Sequence, residues 1–431
     1  MRKEVRNNKL YFDGCNMEDL ARRYGTPLYV FSQNEILERF DELKTCFLEK
    51  HPQNRVAYAA KAFCCTAMLK LVELQGMCID VVSGGELFTA MKANFPAERI
   101  EFNGNNKSRQ ELELALEYGV GRIIVDSLQE IDLIEEICRE KNVTAKILFR
   151  ITPGVKADSH DFIVTGKKDS KFGIPLDDEV VLPYAKKAIE SKYINFLGLH
   201  FHVGSQLFDN SAHLQALEIV LQLAKKLKEA FQFEIKELNL GGGFGITYTD
   251  EARKPYAYFL QPMIEMVEKF AESEGINMPA LVIEPGRSIV GEAGMTLYTA
   301  GAHKDIAGLR NYVSVDGGMT DNIRTALYDA KYKACVANRV ESAETKVVTV
   351  CGKCCESGDI LIRDAVLPFT RPGDIVALYS TGAYGYSMAS NYNRNTIPGV
   401  VFVKDGTAEW AVMPQTYEKM VENDVIPESL Q

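Results

Sequence analysis

Between residues 56 and 284 the chain repeats one pattern eight times: a short apolar run rich in β-branched and aromatic residues, most often followed by an amphipathic stretch of helical period. The runs are VAYAA (56–60), CIDVV (78–82), IEFNG (100–104), RIIVD (122–126), KILFRI (146–151), FLGLHFHV (196–203), ELNL (237–240) and ALVIE (280–284). Between them lie segments such as TAMLKLVELQG, GELFTAMKANF, SRQELELALEYG and LQEIDLIEEICREKN, with Gly76 and Gly119 where helix C-caps are expected. Eight such units predict an α/β fold, a (β/α)8 TIM barrel. A doubly wound open sheet is the runner-up, but it would more often show fewer repeats and an early glycine fingerprint.

Beyond about residue 290 the rhythm changes. YVSVDGG, TKVVTVCG, DIVALYS and GVVFVKDG are short strands separated by turns, which reads as a second, mostly β C-terminal domain. At 431 residues the chain is too long for one ordinary core. The expected organisation is an N-terminal segment, residues 1–33, whose KLYFDG stretch packs with the β domain; a barrel over 34–288; and the β domain over 289–431.

Composition narrows the class of partner. A formal net charge of −10 argues against nucleic acid or an anionic membrane, both of which call for a basic face. The start MRKEVRNNKLYFDG has no apolar signal core, and no run approaches the ~20 apolar residues that span a bilayer. Ten cysteines without an export signal predict free thiols and a cytoplasmic setting. Cys64–Cys65 and Cys354–Cys355 lack the CxxC spacing of a zinc site and only six histidines are present, so no metal is expected.

In a barrel the active site gathers at the C-terminal ends of the strands. Here those ends carry Lys61, Ser83 with Gly84 and Gly85, Asn103, Asp126, Arg150, His202 with Ser205, GGGFG (241–245) and EPGRS (284–288). Each has a plain structural alternative. Lys61 can snorkel to solvent, the glycines can form a loose loop, Glu284 can pair with Arg287, and a strand histidine can sit in a core. His200 and His202 are read as facing opposite sides of their strand, so that one of them is a core residue. Taken together, however, the parts match the needs of pyridoxal phosphate. An amine bonds its aldehyde, backbone N–H groups at glycines hold its phosphate, a flat side chain covers its ring, and a carboxylate keeps its ring nitrogen protonated.

YAAKA, DVVSGGE, TGKKDSKFGI, HFHVGSQ, LGGGFG, EPGRS, IRTALY, CESGD and GAYGYSMASNYN occur in this order over essentially the whole chain. On these motifs the sequence resembles the fold-type III pyridoxal phosphate enzymes, and within them the diaminopimelate decarboxylase family. The resemblance implies loss of carbon dioxide from the D-configured centre of meso-2,6-diaminopimelate, giving L-lysine. It implies that Lys61 bonds the cofactor, that His202 stacks on its ring, and that Glu284 bonds its ring nitrogen. Ser205, Gly241, Gly242, Gly243, Gly286 and Tyr384 would hold its phosphate.

On the substrate side, the resemblance makes Cys355 the residue that protonates or orients at the reacting carbon and gives Glu356 the distal ammonium. Arg287, Arg324 and Tyr328, with Tyr384, would take the distal carboxylate, which a guanidinium fork can bind with two hydrogen bonds. A homodimer with shared active sites is implied as well. Cys354 is expected to lie one step along the strand from Cys355 and face away. Lys353 stands where many relatives have proline, Thr325 likewise, and DAKYK lacks a histidine often found there; these departures bear on the substrate rather than on the cofactor. The polar stretch 158–173 is a candidate lid. Two rivals are kept: a decarboxylase of ornithine, arginine, lysine or carboxynorspermidine, and a non-catalytic homologue acting as a regulator.

Overall fold

The computed structural model describes residues 2–155 and 170–431. The described part of the chain divides into two units. One spans Arg39–Ile246 and Ala252–Ser288; the other combines Met1–Glu38, Thr247–Glu251 and Ile289–Gln431.

The first unit is a closed barrel. Its strands are β1 (Arg55–Ala59), β2 (Cys78–Val81), β3 (Ile100–Phe102), β4 (Arg122–Val125), β5 (Ala145–Thr152), β6 (Ile194–Phe201), β7 (Glu237–Asn239) and β8 (Ala280–Ile283). Each pairs in parallel with the next. The circle closes where Val282 and Ile283 of β8 pair with Arg55 and Val56 of β1. That closure decides for the barrel and against the open sheet. All eight strands read from the sequence are present.

Helices alternate with the strands, and most strand positions are buried. The helices begin where side chains can cap them: Ser83 Oγ accepts from Glu86 N at 3.2 Å, and Ser108 with Glu111 forms a reciprocal capping box. Gly119, at φ +83°, ends the second of these in the left-handed conformation.

In the second unit a large sheet runs in the order Ile360–Pro368, Thr345–Cys351, Arg310–Val315, Gly294–Ile306, Leu28–Ser32, Gly399–Lys404 and Thr407–Val412. Ile375–Leu378 also pairs with Gly294–Ile306 and carries Ala334–Val336. The four β-runs read after residue 290 all lie in this fabric. Leu28–Ser32, not anticipated as a strand, is buried at every position between antiparallel Gly294–Ile306 and parallel Gly399–Lys404. Lys9–Phe12 joins a separate three-stranded sheet, and its Leu10 and Phe12 enter a core with Val30, Met295 and Val401. The candidate lid at 158–173 lies, as far as residue 169, outside the described residues.

Candidate active site

Three pairs of polar residues two positions apart lie in or directly after barrel strands: Glu101 and Asn103, Glu237 and Asn239, His200 and His202. Residues two apart share a face of a strand. Some of them meet partners on strands that are not their sheet neighbours, as Glu237 and Asn239 of β7 do, so these side chains cross the interior.

At the N-terminal end Glu237 of β7 binds Arg55 of β1 at 2.6 Å and Arg122 of β4 at 2.6 and 2.8 Å. Burial works against the Glu237 charge, but the two guanidinium groups outweigh it and hold its carboxyl below the usual value. One level up, Asn239 Nδ2 donates to Glu101 Oε2 at 2.8 Å.

At the C-terminal end stands Glu284, just past β8. Its Oε1 accepts from Asn239 Nδ2 at 2.9 Å and Asn103 Nδ2 at 3.1 Å, and both carboxylate oxygens lie 3.1 Å from His200 Nε2. Burial pushes its acidity down, yet His200 and the Lys61 ammonium overcome it and keep Glu284 ionised. Glu284 is thus partnered by His200 as well as by the two asparagine amides. The reading that placed His200 and His202 on opposite sides is corrected by the same geometry, since both act on Glu284.

Lys61 sits in a single 3-10 turn, Ala60–Ala62, directly after β1. Its charge acts on Asp80, Glu86, His202 and Glu284, which come from three other strand ends. His202 accepts a hydrogen bond at Nδ1 from Gly242 N at 3.2 Å. A nitrogen that accepts carries no proton, so the ring is neutral with its hydrogen on Nε2. Burial first, then Lys61 and Arg150, drive His202 well below the ordinary histidine value, in agreement with that tautomer.

The glycines after β7 approach other backbone closely. A Cβ on Gly242 would fall 2.2 Å from Glu284 O, and one on Gly243, at φ +101°, 2.4 Å from Gly204 O. Two of the three N–H groups are used inside the barrel: Gly241 N donates to Asn239 Oδ1 at 2.9 Å and Gly242 N to His202. Among the described residues Gly243 N donates to nothing. Gln206 grips the loop from HVGSQ, its Nε2 on Ile246 O at 2.7 Å and its Oε1 on Ile246 N at 3.2 Å. His213, buried on the helix Ser211–Phe231, supports it from outside through Gly242 O at 2.9 Å. Sequence reading missed His213 and Gln206; the polar residues of HVGSQ carried the only hint.

Ser205 Oγ accepts from Arg287 at 3.0 and 3.2 Å, so these two residues stand together. Gly286 packs where a Cβ would come within 3.0 Å of Ala59 Cβ. By contrast Asp126 and Arg150 form a structural pair at 3.5 Å, with Asp126 also accepting from Gly173 N. Ser83 is a helix cap. These rim residues are accounted for by the fold.

The second unit holds the remaining predicted residues. Arg324 is 7% exposed and donates from Nε to the Tyr332 hydroxyl at 3.0 Å. Its guanidinium carbon lies 5.3 Å from the Tyr328 ring centre, 5.5 Å from Tyr384 and 5.8 Å from Tyr248. Among the described residues it makes no ion pair. Tyr384 adopts φ +60°, a strained value for a bulky residue of the kind that clusters at functional sites.

Cys355 and Glu356 are exposed and lie in a bend after the strand Thr345–Cys351, not on a strand as expected for Cys354 and Cys355. The reason is Asp359. Its buried carboxylate accepts from Cys354 N at 2.8 Å and Met319 N at 2.6 Å, which folds the chain back on itself. Asn393 Oδ1 accepts from Cys355 N at 2.6 Å. Among the described residues no group of histidine, cysteine, aspartate or glutamate is arranged to hold a metal.

The barrel residues fit pyridoxal phosphate: the cradle that a Cβ at Gly242 or Gly243 would fill, the donor left at Gly243, and an ionised carboxylate facing an ammonium. Comparison with known proteins agrees. The family model "Pyridoxal-dependent decarboxylase, pyridoxal binding domain" matches residues 33–291. Diaminopimelate decarboxylase of Bacillus subtilis is 48% identical over 98% of this chain and 97% of its own length. That of Staphylococcus aureus is 43% identical over 97% and 98%. The crystal structure of diaminopimelate decarboxylase from M. jannaschii in complex with L-lysine superposes with a TM-score of 0.93 at 34% identity, covering 100% of this chain and 99% of that one. A lysine/ornithine decarboxylase from Vibrio vulnificus, at 22% identity and a TM-score of 0.76, shares the fold.

Proposed function

The chain belongs to the pyridoxal-dependent decarboxylases, in the diaminopimelate decarboxylase family, and from that premise we propose that it converts meso-2,6-diaminopimelate to L-lysine and carbon dioxide with pyridoxal phosphate as cofactor. Lys61 would hold the cofactor covalently, Glu284 its ring nitrogen and His202 its ring face. Ser205, Gly243 and Gly286 would hold its phosphate, with Gly241 and Gly242 shaping the turn and Tyr384 completing the set. When bound, pyridoxal phosphate supplies an electron sink for the pair left behind as carbon dioxide departs. Glu284, anionic and fixed by three donors, keeps a proton at the ring nitrogen. His202, uncharged, covers the ring without adding a second positive charge. Cys355 is assigned the return of a proton to the carbon that lost the carboxylate, and Glu356 the distal ammonium. Arg287 stands against Ser205 and is assigned to the anionic end of cofactor or substrate. A homodimer working in the cytoplasm completes the reading; the ten cysteines, none of them disulfide-bonded, accord with a reducing compartment.

The observation that carries the choice of substrate is Arg324. A buried guanidinium steadied by Tyr332 and flanked by Tyr328 and Tyr384, with no carboxylate partner among the described residues, is suited to bind an anionic ligand. Diaminopimelate has a second carboxylate to offer; ornithine, arginine and lysine do not. The test is carbon dioxide release by the cofactor-loaded protein from meso-diaminopimelate, L-ornithine, L-arginine, L-lysine and carboxynorspermidine in parallel. Strong preference for meso-diaminopimelate is expected. Preference for a substrate without a distal carboxylate would overturn the assignment of Arg324, and failure to turn over any of them would favour a regulatory homologue.

A further inference from the structure

Three carboxyl groups are strung on two amides inside the barrel. Asn103 Nδ2 lies 3.1 Å from Glu284 Oε1 and 2.6 Å from Asp80 Oδ1. Asn239 Nδ2 lies 2.9 Å from the same Glu284 oxygen and 2.8 Å from Glu101 Oε2. A primary amide nitrogen carries two hydrogens. Each of these asparagines directs one to Glu284 and the other to a second carboxyl.

All three carboxyls are buried, at 1%, 2% and 8% exposure for Asp80, Glu101 and Glu284. Three negative charges so close in a water-poor interior repel strongly, and burial penalises each of them. The count of donors decides which one is ionised. Among the described residues Glu284 receives Asn103, Asn239 and His200, whereas Asp80 accepts a side-chain hydrogen bond from Asn103 and Glu101 accepts one from Asn239. The oxygens left over point the same way: among the described residues Asp80 Oδ2, Glu101 Oε1 and Asn103 Oδ1 are buried acceptors with no donor. Buried polar atoms are normally paired, and a proton on each acid turns one of its unpaired acceptors into a donor.

We propose that Asn103 and Asn239 are positioning residues that orient Glu284, and that Asp80 and Glu101 stand behind them as neutral carboxylic acids. A proton kept on the neighbours is a proton kept off Glu284, so the barrel mouth carries one fixed anion. Burial and the Glu284 charge do raise both groups, Glu101 to about 7. The consequence for chemistry rests on the role of Glu284 given above; the protonation states do not.

The test uses the holoenzyme near neutral pH. Infrared difference spectra should show the C=O stretch of protonated, buried carboxyl groups, and Glu101→Gln and Asp80→Asn should each remove part of it. Glu101→Gln, an isostere of the neutral acid, should melt no lower than the wild type. Asn239→Ala removes a hydrogen bond to a charged group and should weaken pyridoxal phosphate binding by about ten- to a hundredfold, with a shift in the visible absorption of the bound cofactor. Absence of a protonated-carboxyl band in the wild type would overturn the neutral acids. Wild-type affinity and spectrum in Asn239→Ala would overturn the positioning role. Should that variant not fold, Asn239→Ser is measured in its place. A wild type that binds no pyridoxal phosphate would sink the proposed function while leaving the infrared result to stand or fall by itself.

Discussion

A single side chain changes character with its neighbours, and Arg324 and Glu101 make the point in opposite directions. Arg324 is buried among four tyrosines, and in the proposed function its charge takes the distal carboxylate of the substrate. Arg324→Ala should therefore raise KM for meso-diaminopimelate by about two orders of magnitude, the usual cost of losing one half of a desolvated charge pair, with cofactor affinity unchanged; steady-state kinetics decide it. Glu101 gives up its charge instead. Its neighbours are Glu284, Arg55, Arg122 and Glu237, and burial with the Glu284 charge lifts it from an ordinary 4.5 to about 7. A raised carboxyl contributes stability that is fully present below 4.5 and is lost as pH rises to about 7. Glu101→Gln cannot ionise, so its melting temperature should gain on the wild type between those two values and run parallel above them. Lys61 and Glu284 were legible in the sequence because each ends an apolar strand abruptly. Glu101, Asp80 and Asn239 were not, because one polar residue inside an apolar run reads as noise until its partner across the barrel is known.

At the scale of elements, the eight strands were legible since each couples a β-favouring run to an amphipathic stretch. Which face a residue takes was less so: His200 and His202 were separated by a miscount of strand period, and Cys354 and Cys355 were put on a strand that Asp359 in fact ends. The turn after β7 shows how an element fixes a site. Gly242→Ala would bring a methyl carbon to 2.2 Å from Glu284 O, a contact no Cβ tolerates, so the turn must move and take the His202 hydrogen bond with it. We expect a loss of about 1–3 kcal/mol in stability, as for other overpacked sites, and weaker cofactor binding. Urea unfolding and a cofactor titration would measure both; an unchanged midpoint with full cofactor affinity would show that the turn is looser than its geometry implies.

For the whole molecule, the decisive fact is that the β unit is built from both ends of the chain. Leu28–Ser32 lies hydrogen-bonded on both sides, to Gly294–Ile306 and to Gly399–Lys404. Deleting residues 2–32 would take a fully buried strand out of the middle of a sheet, and should leave a protein whose β unit does not fold while barrel helices persist. Circular dichroism with limited proteolysis would show a protected core from the Arg39–Ser288 part alone; a resistant full-length remainder would contradict it. That the N-terminal segment joins the β domain was legible in KLYFDG, but Leu28–Ser32 as a central strand was not, because YVFS reads as one more apolar run with nothing nearby to pair it. This sharing also sets a timetable. On a ribosome adding about 5–20 residues per second, Leu28–Ser32 waits on the order of 20–70 s for its later neighbour to be made. In the last part of that interval, once β8 has been made and the barrel can close, the strand still lacks one neighbour, so the vulnerable moment in this protein's life falls before its last thirty residues emerge.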